Sequence, residues 1–350
     1  MKRGSFVRQQ AYTPVQQPRN MKRDTSGPLG AHAAARAIVT QPIAPPGYTP
    51  AAAKSSARRY PKNLLHTLTH AREARAAEGV PIGPAALERL SGAPLGATWL
   101  GHATVLLRMD GRWVLTDPVF SHRIGLKLGP LTLGVSRHSA AVDPRSLPRP
   151  DMILLSHAHF DHLDRPSLRA LADKGTRVLT ARHTKGLVPR GFGDVREVDW
   201  GQDIDMDGLR VRALRPNHWG ARTIWDKHRG YNAYLIERAG ERKEGGRDTQ
   251  RVLYAGDTAK SDVFKGMGPV DLSIFGIGAY DPWIHAHASP EEVWEMHAHA
   301  GGEHLLPVHH STFELSDEPM DEPMRRLLAI AADQHHRVVG RAFGDVWTNS

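Results

Sequence analysis

The segment His157-Ala158-His159-Phe160-Asp161-His162 limits what this chain can fold into more than any other stretch. It follows the apolar run Met152-Ile153-Leu154-Leu155 after a single residue, Ser156. A short continuous apolar run bounded by polar residues predicts a buried strand. In an extended segment His157 and His159, two positions apart, project to the same side. Asp161 and His162 fall at a turn, and Asp164-Arg165-Pro166 predicts a helix start, with Asp as cap and Pro in the first turn. Burying three imidazoles and a carboxylate together is costly unless a cation or hydrogen bonds compensate them. The pattern HxHxDH at a strand end therefore points to metal binding. A histidine-rich surface loop is the alternative in a chain with 21 His, and it accounts poorly for the acid among them.

Cysteine is absent, so disulfides, cysteine nucleophiles and thiolate-bound metal are excluded, and any ion must rest on nitrogen and oxygen ligands. A length of 350 residues with 40% hydrophobic content predicts a soluble globular protein of one large α/β domain or two smaller ones. No stretch reaches the roughly 18 to 20 apolar residues of a membrane span. The N-terminus lacks the apolar core of a secretory signal. A cytoplasmic location is expected, with peripheral membrane contact as an addition to it. Of the 46 Lys and Arg and 37 Asp and Glu, residues 1–60 hold ten and one, leaving 36 of each sign in the other 290. The folded body is thus neutral, and the net charge of +9 belongs to a basic N-terminal segment. Rich in Pro, Gln, Ala and Ser and without apolar periodicity, residues 1–60 read as a disordered extension. They suit a plain solvated tail, weak attraction to an anionic membrane surface or a targeting segment. A body without a basic stripe and interleaved aromatics argues against nucleic acid as a partner. The oligomeric state has no signature in the sequence.

Residues 61–96 read as a helical lead-in, with helices expected at 62–78 and 85–90, and residues 97–350 as the main domain, which carries the metal-binding motif. Strands are expected over 97–107 and, after a hairpin turn at Asp110-Gly111, over 113–116. Others are expected at 151–156, 177–180, 209–215, 231–237, 251–255, 271–277 and 305–308, with a closing strand at 337–339 or 346–347. Helices are expected near 165–174, 290–300 and 320–333. Runs of strands with interspersed helices suggest two sheets covered by helices. Segment 120–137, with Leu126, Leu128, Leu131, Leu133 and Val135 among glycines, reads either as the lining of a substrate cleft or as a loop folded over the core.

A six-residue loop cannot complete a metal site, so further ligands are sought at later strand ends. His218 follows the strand at 209–215, His309 the strand at 305–308, and Asp257 the strand at 251–255 through Gly256, which permits a sharp turn. Singly, each would more often be a cap or a surface residue. Their common placement singles them out.

With these motifs in place the chain resembles the metallo-β-lactamase superfamily, and within it the branch of N-acyl-phosphatidylethanolamine-hydrolysing phospholipase D and its bacterial relatives. The resemblance runs from about Thr98 to the C-terminus. It rests on Trp99-Leu100-Gly101-His102-Ala103-Thr104, Leu115-Thr116-Asp117-Pro118-Val119-Phe120, the hexapeptide, His218-Trp219, Ala255-Gly256-Asp257-Thr258, Ile277-Gly278-Ala279-Tyr280-Asp281-Pro282, and His309 with Thr312-Phe313. It implies an α/β fold, a four-layer αββα sandwich with a dinuclear site at one edge. One metal would take His157, His159 and His218, the other Asp161, His162 and His309, with Asp257 as bridge. Asp117 would orient the metal loop without ligating, and His102 would support it in the same way. Two Zn2+ suit this donor set, and iron or manganese fit it too.

The chemistry so implied is hydrolysis by a hydroxide shared between two cations, with Asp257 able to accept the proton. His287 aligns with a family histidine that faces the substrate phosphate, which gives it a donor role. His297, His299 and His310 read as structural. Arg222, Tyr280 and His285 are further candidates for substrate contact, Arg222 as neutraliser of a phosphate or as an ordinary surface arginine. The activity implied first is a phosphodiesterase acting on N-acylated phospholipid or a related small molecule. A lactonase or other ester hydrolase is the alternative, and a nucleic-acid-processing or non-enzymatic metal-binding protein the third reading. The complete ligand set argues against pure binding and the neutral body against a nuclease.

Overall fold

The computed structural model describes residues 51, 54, 55, 58, 79–129, 131–223, 225–238 and 250–349, without the side chains of 128 and 131. Apart from four residues, the extension expected over 1–60 lies outside the described residues, as does the helix expected at 62–78. In chain order the elements are α1 (Pro84–Gly92), β1 (Leu95–Trp99), β2 (Val105–Met109), β3 (Arg112–Thr116), β4 (Arg123–Leu128), β5 (Leu131–Ser136), β6 (Met152–Leu155), α2 (Arg165–Ala170), β7 (Arg177–Ala181) and β8 (Asp194–Val198). They continue with β9 (Asp203–Met206), β10 (Leu209–Leu214), β11 (Ala233–Arg238), β12 (Arg251–Tyr254), β13 (Val270–Gly276), α3 (Pro290–His299), β14 (Gly302–Val308), α4 (Glu322–Ala331) and β15 (Val346–Asn349).

Strand alternation builds the layers. In β6, Met152 and Leu154 join a central cluster with Val211, Ile236 and Ile274, whereas Ile153 and Leu155 join an outer one. In β12, Val252 and Tyr254 enter the central cluster and Leu253 a second outer one. The central cluster lies between a seven-stranded sheet, ordered β15-β1-β2-β3-β6-β7-β8, and a six-stranded sheet, ordered β14-β13-β12-β11-β10-β9. Leu90 of α1 and Leu168 of α2 pack on the outer face of the first sheet. Val293 and Met296 of α3 and Leu327 of α4 pack on the second. This is the αββα sandwich. Each fully buried side chain of this kind contributes about 1.5–3 kcal/mol.

Three features depart from expectation. The run 97–107 is two strands, because the chain turns at Gly101 and His102, both with positive φ (99° and 49°). β1 begins at Leu95, ahead of the expected boundary at 97, and α1 belongs to the same outer layer as the rest of the domain. Strands β8 and β9, unanticipated, each form one edge of a sheet, opposite β15 and β14. Their acidic and basic side chains hide the apolar signal, as is common for edges that must not pair with another chain. Segment 120–137 forms the separate β4–β5 hairpin. The closing strand is β15; at 338 there is an isolated bridge to Leu305. Among the described residues no helix is long and apolar enough to cross a membrane.

His297 is structural in the plainest sense. Its Nε2 accepts from Arg337 at 3.1 Å, so its Nδ1 carries the proton and donates to Ser273 Oγ at 2.7 Å. Burial, followed by Arg337 and His304, lowers its pKa to about 3. Above the ordinary histidine value of 6.5 the ring is neutral in both folded and unfolded chains, and its contribution to stability is complete. Below 6.5 the unfolded chain gains a proton that the fold refuses, so stability falls with pH down to about 3. Unfolding titrations between pH 7 and pH 4 are expected to show a steeper loss in the wild type than in His297→Gln, by up to about 1.4 kcal/mol per pH unit. Equal slopes would show that this ring does not hold off its proton.

Candidate metal centre

Strand direction brings the site together. In the first sheet β3, β6 and β7 run parallel, so Asp117 after β3 and the hexapeptide after β6 emerge side by side; Asp117 N donates to Leu154 O at 2.9 Å. In the second sheet β10 and β12 are each antiparallel to β11, and β12, β13 and β14 are mutually parallel. His218, Asp257 and His309 therefore lie beyond the carboxyl ends of strands pointing one way. Gly256 allows the two sheets to meet there. A Cβ on it would stand 2.9 Å from Ser156 Cβ and 3.0 Å from Asn232 O, and its φ is +58°.

All seven proposed ligands converge in two groups. His157, His159, His218 and Asp257 form one, and Asp161, His162 and His309, with His102, form the other. Asp257 lies between them. Its Oδ2 is 3.0 Å from His162 Nε2, 3.4 Å from His309 Nε2, and 3.7 Å from both His157 Nε2 and His218 Nε2. Asp161 Oδ2 stands 3.4 Å from His309 Nε2 and 3.6 Å from His162 Nε2. Asp257 Oδ2, His162 Nε2 and both ring nitrogens of His309 are nevertheless buried without a hydrogen bond. Unaligned acceptors and imidazoles aimed at a common point are satisfied by a cation, and the donor set fits one.

Charge follows the same geometry. Burial opposes ionisation of Asp257 and Asp161, yet the nearby imidazoles, His162 foremost, hold both carboxyls well below their ordinary range. Burial likewise opposes charge on His162 and His309, but Asp257 and Asp161 lift both, His309 to about 9. Burial and crowding by other imidazoles keep His157 and His218 well below 6.5 and so neutral, the ligating form.

A surrounding set of hydrogen bonds fixes ring orientation. His218 Nδ1 donates to Ala286 O at 3.0 Å and His162 Nδ1 to Asp117 Oδ2 at 2.6 Å, leaving both Nε2 atoms toward the cluster. Asp117, fully buried, also accepts from Ser156 N at 2.7 Å, from Ser156 Oγ and from Tyr254 OH. His102 Nε2 lies 2.9 Å from Asp161 Oδ2, and burial lowers its pKa to about 3. Ser156 and Tyr254 escaped sequence reading. The hint for Tyr254 was a hydroxyl in an otherwise apolar strand. Trp219 also takes a place here, stacked on His218 at 4.5 Å and edge-on to His159 at 5.0 Å.

The residues expected to face substrate are placed differently from one another. His287 reaches the cluster, its Nδ1 3.9 Å from Asp257 Oδ2 and its ring 5.1 Å from that of His218. Tyr280 does not: its hydroxyl donates to Glu322 Oε1 at 2.7 Å and Arg326 covers its ring, because the loop turns it toward α4. His285 stands beside Trp283, ring centroids 6.1 Å apart, outside both groups. His310 stacks on Trp99 at 4.5 Å, and His299 is exposed on α3, 3.9 Å from Glu295. Arg222 is turned to the hexapeptide itself. Its Nη1 donates to Ala158 O and Leu163 O, each at 2.8 Å, and its guanidinium lies 4.0 Å over the Phe160 ring. It clamps both ends of the metal loop and is not a free cation awaiting phosphate.

A family model described as the Beta-lactamase superfamily domain matches residues 112–310. The chain belongs to that superfamily and is a metal-dependent hydrolase of the metallo-β-lactamase fold. It is 31% identical over 282 residues to an uncharacterised protein of Mycobacterium tuberculosis, covering 75% of this chain and 70% of the relative. It is 28% identical over 284 residues to the N-acyl-phosphatidylethanolamine-hydrolyzing phospholipase D 1 of Caenorhabditis elegans, covering 73% and 76%. In fold it is similar to an isothiocyanate hydrolase from Delia radicum gut bacteria, with a TM-score of 0.55, 17% identity, and 73% and 99% of the two chains covered.

Removing the clamp tests its role. Arg222→Met is expected to keep the fold while lowering metal affinity about 10- to 100-fold, the usual cost of losing a group that positions ligands. Competition with a chromophoric chelator measures it, and unchanged affinity would show that the loop holds its shape without Arg222.

Proposed function

We propose that this protein is a phosphodiesterase that hydrolyses an N-acylated phospholipid or a closely related phosphodiester. The observation that carries the reading is Asp257, one carboxylate oxygen within 3.7 Å of four imidazole nitrogens from two ligand groups. Similarity to the nematode phospholipase over most of both chains supports the substrate class. His157, His159 and His218 would hold one cation and Asp161, His162 and His309 a second, with Asp257 common to both; zinc suits nitrogen and oxygen donors best. Bound cations supply Lewis acidity and lower the pKa of water.

The chain's own groups do the rest. Asp257 Oδ2, at the centre of the cluster, is the natural proton acceptor. His287, whose side chain is 14% exposed beside Asp257, offers an N–H to an oxygen of the substrate as charge builds on it. Asp117 and Ala286 O keep His162 and His218 in the tautomer that leaves Nε2 free. Trp219 covers His218 and His159 and limits access of bulk water to them. Attraction of the basic residues 1–60 to anionic membrane belongs to the same proposal, and unchanged liposome binding after deletion of 1–55 would reject it.

Purified protein is expected to hold close to two metal ions by elemental analysis. Asp257→Asn and His159→Ala are expected to bring phosphodiester hydrolysis to background while the folded circular dichroism signal persists. Full hydrolysis in both variants would sink the mechanism. A panel of N-acyl phospholipids, simple phosphodiesters and lactones, with zinc or manganese added, decides the bond cleaved; turnover of lactones alone would move the protein to the other ester class.

A further inference from the structure

Between the β4–β5 hairpin and the metal loop lies a cleft of about 210 Å³, and none of the seven candidate metal ligands lines it. Its charge is one-sided. Arg123 and Lys127 come from the hairpin, Arg165 and Arg169 from α2, and Arg222 from the loop after β10; Asp164 is the one acid. That acid is already engaged, capping α2 at Ser167 N and accepting from the hydroxyls of Ser167 and Ser121. Arg222 is engaged with the metal loop. Lys127, Arg165 and Arg169 are exposed, and among the described residues none of their three side chains makes a hydrogen bond or ion pair.

This gathering is costly as it stands. Arg165 and Arg169 sit one turn apart on one face of α2, a spacing at which like charges destabilise a helix. Repulsion from Arg165 also lowers the pKa of Arg222, in addition to the larger effect of burial. The basic and acidic residues of the body balance overall, so this is a local excess of positive charge, and an anion seated in the cleft would relieve the repulsion. Part of the remaining lining is apolar: Leu126, 51% exposed at the hairpin, with Phe160 and Leu187.

We infer that this cleft binds a phosphate-type oxyanion carried on an apolar body. The guanidinium groups of Arg165 and Arg169 match phosphate oxygens in fork geometry, and Lys127 adds a point charge from the opposite wall. Leu126, Phe160 and Leu187 receive the apolar part. The anion held here is distinct from the ester at the metal centre, being a second charged group of the substrate or a second molecule. Its effect on hydrolysis rests on the function proposed above; its binding does not.

Calorimetric titration with hexyl phosphate tests this on the full chain, on Arg165→Gln/Arg169→Gln and on Asp257→Asn. Sedimentation with vesicles of phosphatidylcholine containing about a third phosphatidylglycerol forms a second arm. Affinity for hexyl phosphate is expected to fall about tenfold or more in the double arginine variant, to rise as salt is lowered and to be unchanged in Asp257→Asn. Arginine-dependent binding to vesicles alone assigns the phosphate to a bilayer, and to hexyl phosphate alone assigns it to a soluble molecule. Equal affinity in wild type and double variant, loss in Asp257→Asn, or no binding in either arm overturns the inference. Both arginines are exposed and repel each other, so a melting temperature no lower than that of the wild type is expected and excludes misfolding as the cause. Hydrolysis intact without arginine-dependent binding refutes the cleft alone; binding intact without phosphodiester hydrolysis refutes the proposed function alone.

Discussion

The buried carboxylate of Asp117 is the interaction on which the remainder of the site depends. It sits between the sheets' ends with four donors upon it: Ser156 N and Oγ, His162 Nδ1 and, from the opposite sheet, Tyr254 OH. A buried carboxylate left without partners would cost several kcal/mol. With them it fixes where β6 ends, how His162 is turned and how far apart the sheets stand. The left-handed backbone of Asp117 itself, φ +31°, persists because these bonds over-determine it.

From that point the site is assembled by strand ends. Ligand candidates after β6, β10, β12 and β14 ride on elements whose own side chains are buried in the central core, so their positions are set by packing. Loops contribute the adjustments: Gly256 permits the close approach, Arg222 grips the hexapeptide by its carbonyls, and Glu318 accepts Ala279 N and Asp281 N to shape the path toward His287. Preorganisation of this kind lets a cluster of imidazoles and carboxylates keep its arrangement before any ion arrives.

Much of this was legible in the sequence, and the reason is specific. His157 to His162, His218, Asp257 and His309 each follow an apolar run, so period and position marked them together. The sandwich was legible because strands such as β6 and β12 are buried on both faces, so that Met152–Leu155 is wholly apolar and only Arg251 interrupts the apolar character of Arg251–Tyr254. Edge strands β8 and β9 were not, since solvent lets their side chains be charged. Direction was also hidden. Arg222 and Tyr280 carry groups that suit a substrate, but charge and hydroxyl say nothing of where a side chain turns, and the fold turns one to carbonyls and the other to Glu322. Contacts across sheets, such as Tyr254 with Asp117, join residues more than a hundred positions apart and leave no local pattern.

The ligand candidates are divided between the two sheets, with 157–162 on one and 218, 257 and 309 on the other. A cation shared by Asp161 and His309 would therefore staple the halves of the sandwich across about 150 residues of chain, a closure that removes considerable freedom from the unfolded ensemble. In a chain without cysteine this is the role a disulfide plays elsewhere. Loading of the site would then add to the durability of a fold that stands without it, and scarcity of metal would be felt as a lower melting temperature as well as loss of turnover.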